Sequence, residues 1–224
     1  AAATRINSSG LIEKYRENLV TYSNDFNNWN KALCNVTSGQ SGYDGSNDAW
    51  LLTATGSGNS CRRDVAYSGV NSFSVYAKAG TADGIRLRFD AATDRNLMVN
   101  LTDGSVISGV TTAFSYSVED VGGGWYRVTA TADLTTGINV RLIVTDNTGT
   151  QSTGSIYIQS AQLESGLVAT DYLNSTSVTA KAGVLIDLPR INYDANGENG
   201  ALLLEPSRQQ LITQSEYFNS SYWI

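Results

Sequence analysis

From Ile85 to Asp90 the chain alternates without a break: Ile85, Leu87 and Phe89 take one parity, and Arg86, Arg88 and Asp90 the other. Side chains of an extended strand project to opposite faces with period two, so this pattern demands a strand with one face in a core and one facing outward. The same period sets Phe73, Val75 and Ala77 against Ser74, Tyr76 and Lys78, and Tyr126, Val128 and Ala130 against Trp125, Arg127 and Thr129. Residues 138–144 and 155–163 read as two further strands, and 98–101 with 104–110 as a pair joined at Asp103-Gly104. Turn chemistry punctuates them at Gly42-Tyr43-Asp44-Gly45, Asp83-Gly84 and Gly122-Gly123-Gly124. With 21 glycines against 2 prolines and no helical period between the strands, the chain is expected to be all-β, an antiparallel β-sandwich or jelly roll.

The organisation follows from an internal repeat. Segment 16–28, RENLVTYSNDFNN, aligns without gaps to 208–220, RQQLITQSEYFNS. Arg16, Leu19, Thr21, Ser23, Phe26 and Asn27 recur as Arg208, Leu211, Thr213, Ser215, Phe218 and Asn219. Upstream, Leu11-Ile12-Glu13 matches Leu203-Leu204-Glu205, and Arg5-Ile6-Asn7 resembles Arg190-Ile191-Asn192, so the repeating unit is connector plus sandwich. The expected layout is an N-terminal strap over 1–18, the sandwich over 19–173, a connector over 174–207 and the start of a second copy over 208–224. A lone first strand is marginal in water, so the protein is expected to continue past Ile224.

Composition narrows the function classes. The net charge is -6 without a basic block, so no nucleic-acid partner is expected. No apolar run approaches membrane-spanning length, so no membrane insertion is expected, and the opening AAATRINSSG is not a signal peptide. Either export does not use that route or the natural start lies upstream. The absence of histidine removes Ser-His-Asp and Cys-His catalysis, and no phosphate-binding glycine loop is present, so no enzyme is expected. Cys34 and Cys61 read as two unpaired thiols near a β core, or as one bridge if their strands are neighbours.

Four motifs carry a family resemblance: Asn18 to Trp29 (N-L-x-x-x-S-x-x-F-x-x-W), Val75 to Gly80 (V-Y-x-K-A-G), Gly124 to Val128 (G-W-Y-R-V) and Gln162 to Tyr172 (Q-L-E-x-G-x-x-A-T-x-Y). In combination they resemble the carbohydrate-binding-module-like jelly-roll domains of bacteriophage virion proteins. The text P-R-I-N-Y followed by G-x-L-L-L-E-P-x-R resembles the connectors of phage tail proteins. The resemblance implies a concanavalin-like or galactose-binding-like sandwich on the surface of a virion, or alternatively in an extracellular protein. It implies a homo-oligomer, often a trimer, whose partner is a glycan or another virion protein. An accessory binding module of a depolymerase or glycoside hydrolase is the alternative. Fold alone does not choose the ligand.

Candidate binding residues come from the outward parity. Arg86, Arg88, Lys78, Arg127 and Arg141, with Tyr157 and Gln159 beside them, are expected to gather basic groups on one sheet. Guanidinium groups there suit carboxylate, phosphate or sugar hydroxyl contacts. Trp29, Trp50 and Trp125 are expected to pack rather than to serve as platforms. No cofactor is expected; the oxygen-rich turn of Asp44, Asn47 and Asp48 suggests a structural calcium.

Overall fold

The computed structural model describes residues 4–6, 12–14, 16–107, 112–182, 190–192, 194, 196 and 198–203. The second copy of the opening motif, 208–224, lies outside them. The strands are β1 (Thr4–Ile6), β2 (Ile12–Lys14), β3 (Arg16–Asn18), β4 (Asn30–Ala32), β5 (Cys34–Gln40), β6 (Ala49–Ala54), β7 (Ser60–Ala79), β8 (Gly84–Ala91), β9 (Arg95–Asn100), β10 (Ser115–Gly122), β11 (Trp125–Thr145), β12 (Gly154–Ser165), β13 (Ala180–Ala182), β14 (Arg190–Asn192) and β15 (Ala201–Leu203). No helix among the described residues is long and apolar enough to cross a membrane.

Strands β4 to β12 hydrogen-bond into one nine-stranded antiparallel sheet that doubles over on itself as a jelly-roll sandwich. The doubling is possible because β7 and β11 serve in both layers. The end of β7 pairs with β12 and with the start of β11, in the front layer β5-β6-β12-β7-β11-β10. The start of β7 pairs with β4 and with the end of β11, which continues through β8 to β9 in the back layer. The register shifts at Leu134/Gly137 and Gly137/Asn139 mark the fold-over. Periodicity alone splits such a strand, which is why 125–131 and 138–144 read as two strands where the structure has one. Of the segment 104–110, the described part 104–107 makes an isolated bridge, Val99↔Val106, rather than a named strand, and 108–110 lie outside the described residues.

The alternating apolar sets meet between the layers. Phe73, Val75, Val128 and Ala130 of the front face Ile85, Leu87, Phe89, Val140 and Leu142 of the back, all fully buried. Phe73 and Phe89 touch edge to face with ring centroids 6.1 Å apart, and Tyr67 meets Phe89 at 5.8 Å. Each such side chain contributes about 1.5–3 kcal/mol through lost apolar exposure. Cys34 and Cys61 are free thiols in this core, and burial raises the thiol pKa of both. Cys34 Sγ donates to the Ser60 carbonyl at 3.3 Å.

The opening and closing motifs turn out to be two halves of one clasp. Asn18, fully buried, donates to the carbonyls of Ala161 (3.2 Å) and Leu173 (2.9 Å) and accepts from the amides of Val20 and Leu163 (both 3.1 Å). Ser23 Oγ shares a 2.7 Å hydrogen bond with the Tyr172 hydroxyl and accepts from the Ser175 amide at 2.8 Å. Phe26 and Trp29 are buried in the core, and the Trp29 indole donates to the Tyr22 carbonyl at 2.9 Å. β13 pairs with β3, so the two ends of the module close on each other.

By backbone proximity the chain divides into two units. One spans Arg16–Ala182 and holds the sandwich and clasp. The other comprises 1–15 and 183–224; within it β1, which holds Arg5 and Ile6, pairs antiparallel with β2, and β14, which holds Arg190 and Ile191, pairs antiparallel with β15. The Arg-Ile part of the connector repeat is thus a strand in both copies, while the partner strands β2 and β15 are not aligned with each other in the repeat.

Candidate functional site

The outer face of the front layer is polar by alternation but largely covered. Ser72, Ser74, Thr129, Thr131, Gln159, Gln162 and Glu164 point outward and are nevertheless buried. A strap over 166–173 covers part of them. Ser72 Oγ donates to the Gly166 carbonyl at 2.8 Å, Glu164 accepts from the Thr170 amide at 2.8 Å, and the Leu173 amide donates to Gln162 Oε1 at 2.6 Å. The closing motif therefore encodes this strap, its Gln, Glu, Thr and Tyr being the fastening residues.

A second cover is the loop 42–48. Tyr43 lays its ring on Tyr76, centroids 3.6 Å apart and 3° from parallel, and Trp125 and Tyr157 extend the cluster at 6.4 Å steps. The loop is pinned by Gln159, which accepts from the Tyr43 amide at 3.1 Å and donates to Asp44 at 3.3 Å and Asp48 at 2.5 Å. Ser46 Oγ lies between the two carboxylates, 2.6 Å from Asp44 Oδ1 and in contact with Asp48 Oδ1. Hydrogen bonding from Ser46, the largest cause, holds the Asp44 carboxyl below its ordinary value of 3.8. A depressed folded-state pKa stabilises above the ordinary value and is lost as pH falls through the depressed one. Acidification below about pH 4 is therefore expected to loosen this loop, read as a change in Trp125 fluorescence that Asp44→Asn does not show.

Beside this cluster opens a cleft of ≈ 430 Å³, lined by Tyr22, Asn24, Asp25, Asp48, Tyr172, Asn174, Ser175 and Thr176. Its walls come from the loop after β3, the end of the 42–48 loop and the segment following the strap. Two departures from ordinary backbone frame it: Tyr22 (φ 55) and Ser160 (φ 58) sit in the left-handed region, where non-glycine residues are uncommon. Both are held there. The Tyr22 amide donates to the Thr176 carbonyl at 2.6 Å, and the Ser160 amide donates to Asn24 Oδ1 at 2.8 Å. Asn24 Nδ2 reaches Asp48 Oδ2 at 3.1 Å, Asp25 caps the 3-10 turn Phe26–Asn28, and the Tyr172 hydroxyl lies 3.1 Å from Asn174 Oδ1. Burial pushes the Tyr172 phenol up to about 12.

The basic residues do not gather on one face of the sandwich. Lys78, Arg127, Tyr157 and Gln159 belong to the front face, whereas Arg86, Arg88 and Arg141 stand on the outward face of the back layer. β7 and β11 pass through both layers, so parity along them is continuous while the layer changes. On the back face Asp90 accepts from Arg88 Nε at 2.6 Å and Arg141 Nε at 2.7 Å, and Arg88 also reaches Asp94 at 2.6 Å. Arg86 donates to the Gly149 carbonyl at 2.8 Å, and burial, then Arg88, lowers its pKa. On the front face Arg127 donates to the Thr170 carbonyl and lies over the Tyr76 ring at 5.6 Å. These arginines fasten the fold to itself.

The turn proposed for calcium is also internally satisfied. Asp44 and Asp48 converge, but on the Gln159 amide and the Ser46 hydroxyl, and Asn47 stands exposed. A cation would meet an N–H donor where it needs an oxygen, so the residues as arranged do not fit one. Among the described residues no group of three or more His, Cys, Asp or Glu is placed to hold a metal. The tryptophan expectation agrees with the structure: Trp29 and Trp125 are buried, and Trp50 packs against the core with its indole donating to Asn24.

The fold defines an all-β jelly-roll sandwich with a polar cleft beside a covered front face. No family model matches the chain, and no curated protein matches it. Among solved structures it is similar to the enzymatically active domain of bacteriophage CBA120 tailspike protein 4 (14% identity, TM-score 0.36, 67% of this chain and 21% of that one). It is also similar to the CBM22-1–GH10 modules of Clostridium thermocellum endo-1,4-β-D-xylanase 10B, solved with xylohexaose (14% identity, TM-score 0.41, 69% and 29%). A third is TmCBM27, a carbohydrate-binding module described for specific mannan recognition (12% identity, TM-score 0.33, 69% and 100%). The matched stretch thus spans less than a third of the first two chains.

Proposed function

We propose that the chain is a non-catalytic glycan-binding module of a phage virion surface protein, and that the cleft between Tyr22 and Tyr172 receives the sugar. The cleft carries this reading. Two tyrosines border it, the residue type that packs on the C–H side of a pyranose, and amide, carboxylate and hydroxyl residues line the same space to meet its hydroxyls. Binding at one open site is expected to be weak, and repetition of modules in a homo-oligomer supplies avidity through effective concentration.

A glycan array followed by calorimetric titration of the 224-residue chain tests this. Tyr172→Ala is expected to weaken binding at least tenfold, about 1.4 kcal/mol. Because Tyr172 also fastens the clasp, Asp48→Asn is the companion variant: near-isosteric, with a severalfold weaker complex expected, and with its melting temperature measured alongside because Asp48 also accepts from Gln159 and Asn24. Failure of the chain to retain any glycan at ~1 mM sugar, where binding is worth about 4 kcal/mol, would sink the proposal. A scaffold or protein-binding role would then remain.

A further inference from the structure

Resting on that reading, we infer that the cleft selects neutral saccharides and turns away uronic and sialic acids. Its lining contains the carboxylates Asp25 and Asp48 and no lysine or arginine. Carboxylates accept from sugar hydroxyls, whereas a sugar carboxylate brought beside them is a like charge in a partly desolvated space, where screening is weaker than in bulk water.

Two cations bond to the same segment, and neither is part of the cleft lining. Arg63 donates through Nε to Thr21 Oγ1 at 3.0 Å and through Nη1 to the Asn28 carbonyl at 2.8 Å, with its guanidinium 5.1 Å from the Tyr22 ring centroid. Lys31 Nζ donates to the carbonyls of Asn27 at 2.7 Å and Trp29 at 2.9 Å. The carboxylates keep accepting capacity. Asp48 Oδ2 takes one bond, from Asn24, and Asp25 Oδ2 one, from Asn28, while each carboxylate oxygen has room for two.

The internal repeat shows that the cleft-lining positions of this loop differ between the two copies. Thr21, Ser23 and Phe26, which serve the clasp and the core, recur in the second copy, but Tyr22, Asn24 and Asp25 are replaced by Gln214, Glu216 and Tyr217. All three cleft-lining positions of this stretch change, and so do Glu17, Asn18 and Asn28, which become Gln209, Gln210 and Ser220. The acidic lining contributed by Asp25 is thus a property of this copy.

The test is a matched pair of titrations on the full chain at low salt: neutral cello-, manno- and galacto-oligosaccharides against oligogalacturonate and oligosialic acid of the same length. At least one neutral series is expected to bind tenfold or more tightly than every acidic probe. In the Asp25→Asn/Asp48→Asn variant, checked for an unchanged melting temperature, that gap is expected to shrink to about threefold or less. Acidic probes that bind as tightly as neutral ones, or a gap unmoved in the double variant, overturn the selectivity while leaving glycan binding intact. Binding of neither class overturns the glycan reading and this inference with it.

Discussion

Asn18→Ala is expected to lower the unfolding free energy by about 3–5 kcal/mol. The carboxamide is fully buried and makes four hydrogen bonds to main-chain groups of Val20, Ala161, Leu163 and Leu173. Alanine removes a side chain that satisfies donors and acceptors on three separate segments. Each buried backbone group left unpaired costs about 1–3 kcal/mol, offset in part where water enters. Asn18→Gln, the residue at the aligned position 210, retains the amide chemistry and is expected to lose less. Urea unfolding followed by tryptophan fluorescence measures both, and an Asn18→Ala loss under about 1 kcal/mol would show that the clasp is not what closes the sandwich.

Gly137→Ala is expected to cost about 3 kcal/mol through overpacking. A Cβ at this position would lie 2.0 Å from Tyr67 Cε2 and 2.1 Å from Cζ. The ring cannot simply move aside, because it packs on Phe89 and its hydroxyl donates to the Asn139 carbonyl at 2.9 Å. The contact sits where β11 leaves the front layer for the back, between the two register shifts. Tyr67→Ala, which removes the obstacle, is expected to be destabilising alone. Combined with Gly137→Ala, it should give a double variant less destabilised than the sum of the two by at least about 1 kcal/mol. Additive losses would mean that the Tyr67 ring is not what excludes a side chain at position 137.

These two residues show how unevenly the molecule can be read. Gly137 is unremarked in sequence, because its role depends on a ring seventy positions earlier that only the pairing of β7 with β11 brings near. Asn18 stands in a recognisable motif, yet nothing local says that its partners lie past residue 160. The cleft was missed for the same reason. Tyr22, Asn24 and Asp25 sit near one end of the module and Tyr172 to Thr176 near the other. The one available signal was their divergence between the two copies of an otherwise similar stretch.

What the sequence determined by itself was parity. Alternation along a strand is a local consequence of backbone geometry, so the inward set of Phe73, Val75, Ile85, Leu87, Phe89, Val128 and Ala130 was readable and is the buried core. Turn residues and the absence of helical period settled the all-β class in the same way. What only the tertiary structure decided was which outward residues share a surface. A strand that crosses between layers keeps its alternation, so Arg127 and Arg141 have the same parity on β11 yet stand on opposite faces of the sandwich. Whether an outward face is open to solvent depends on the strap and loop that lie across it. On the front face Arg127 bonds to the strap, on the back face Arg86, Arg88 and Arg141 bond to Gly149, Asp90 and Asp94, and the polar cleft lies at the meeting of chain segments that are remote in sequence.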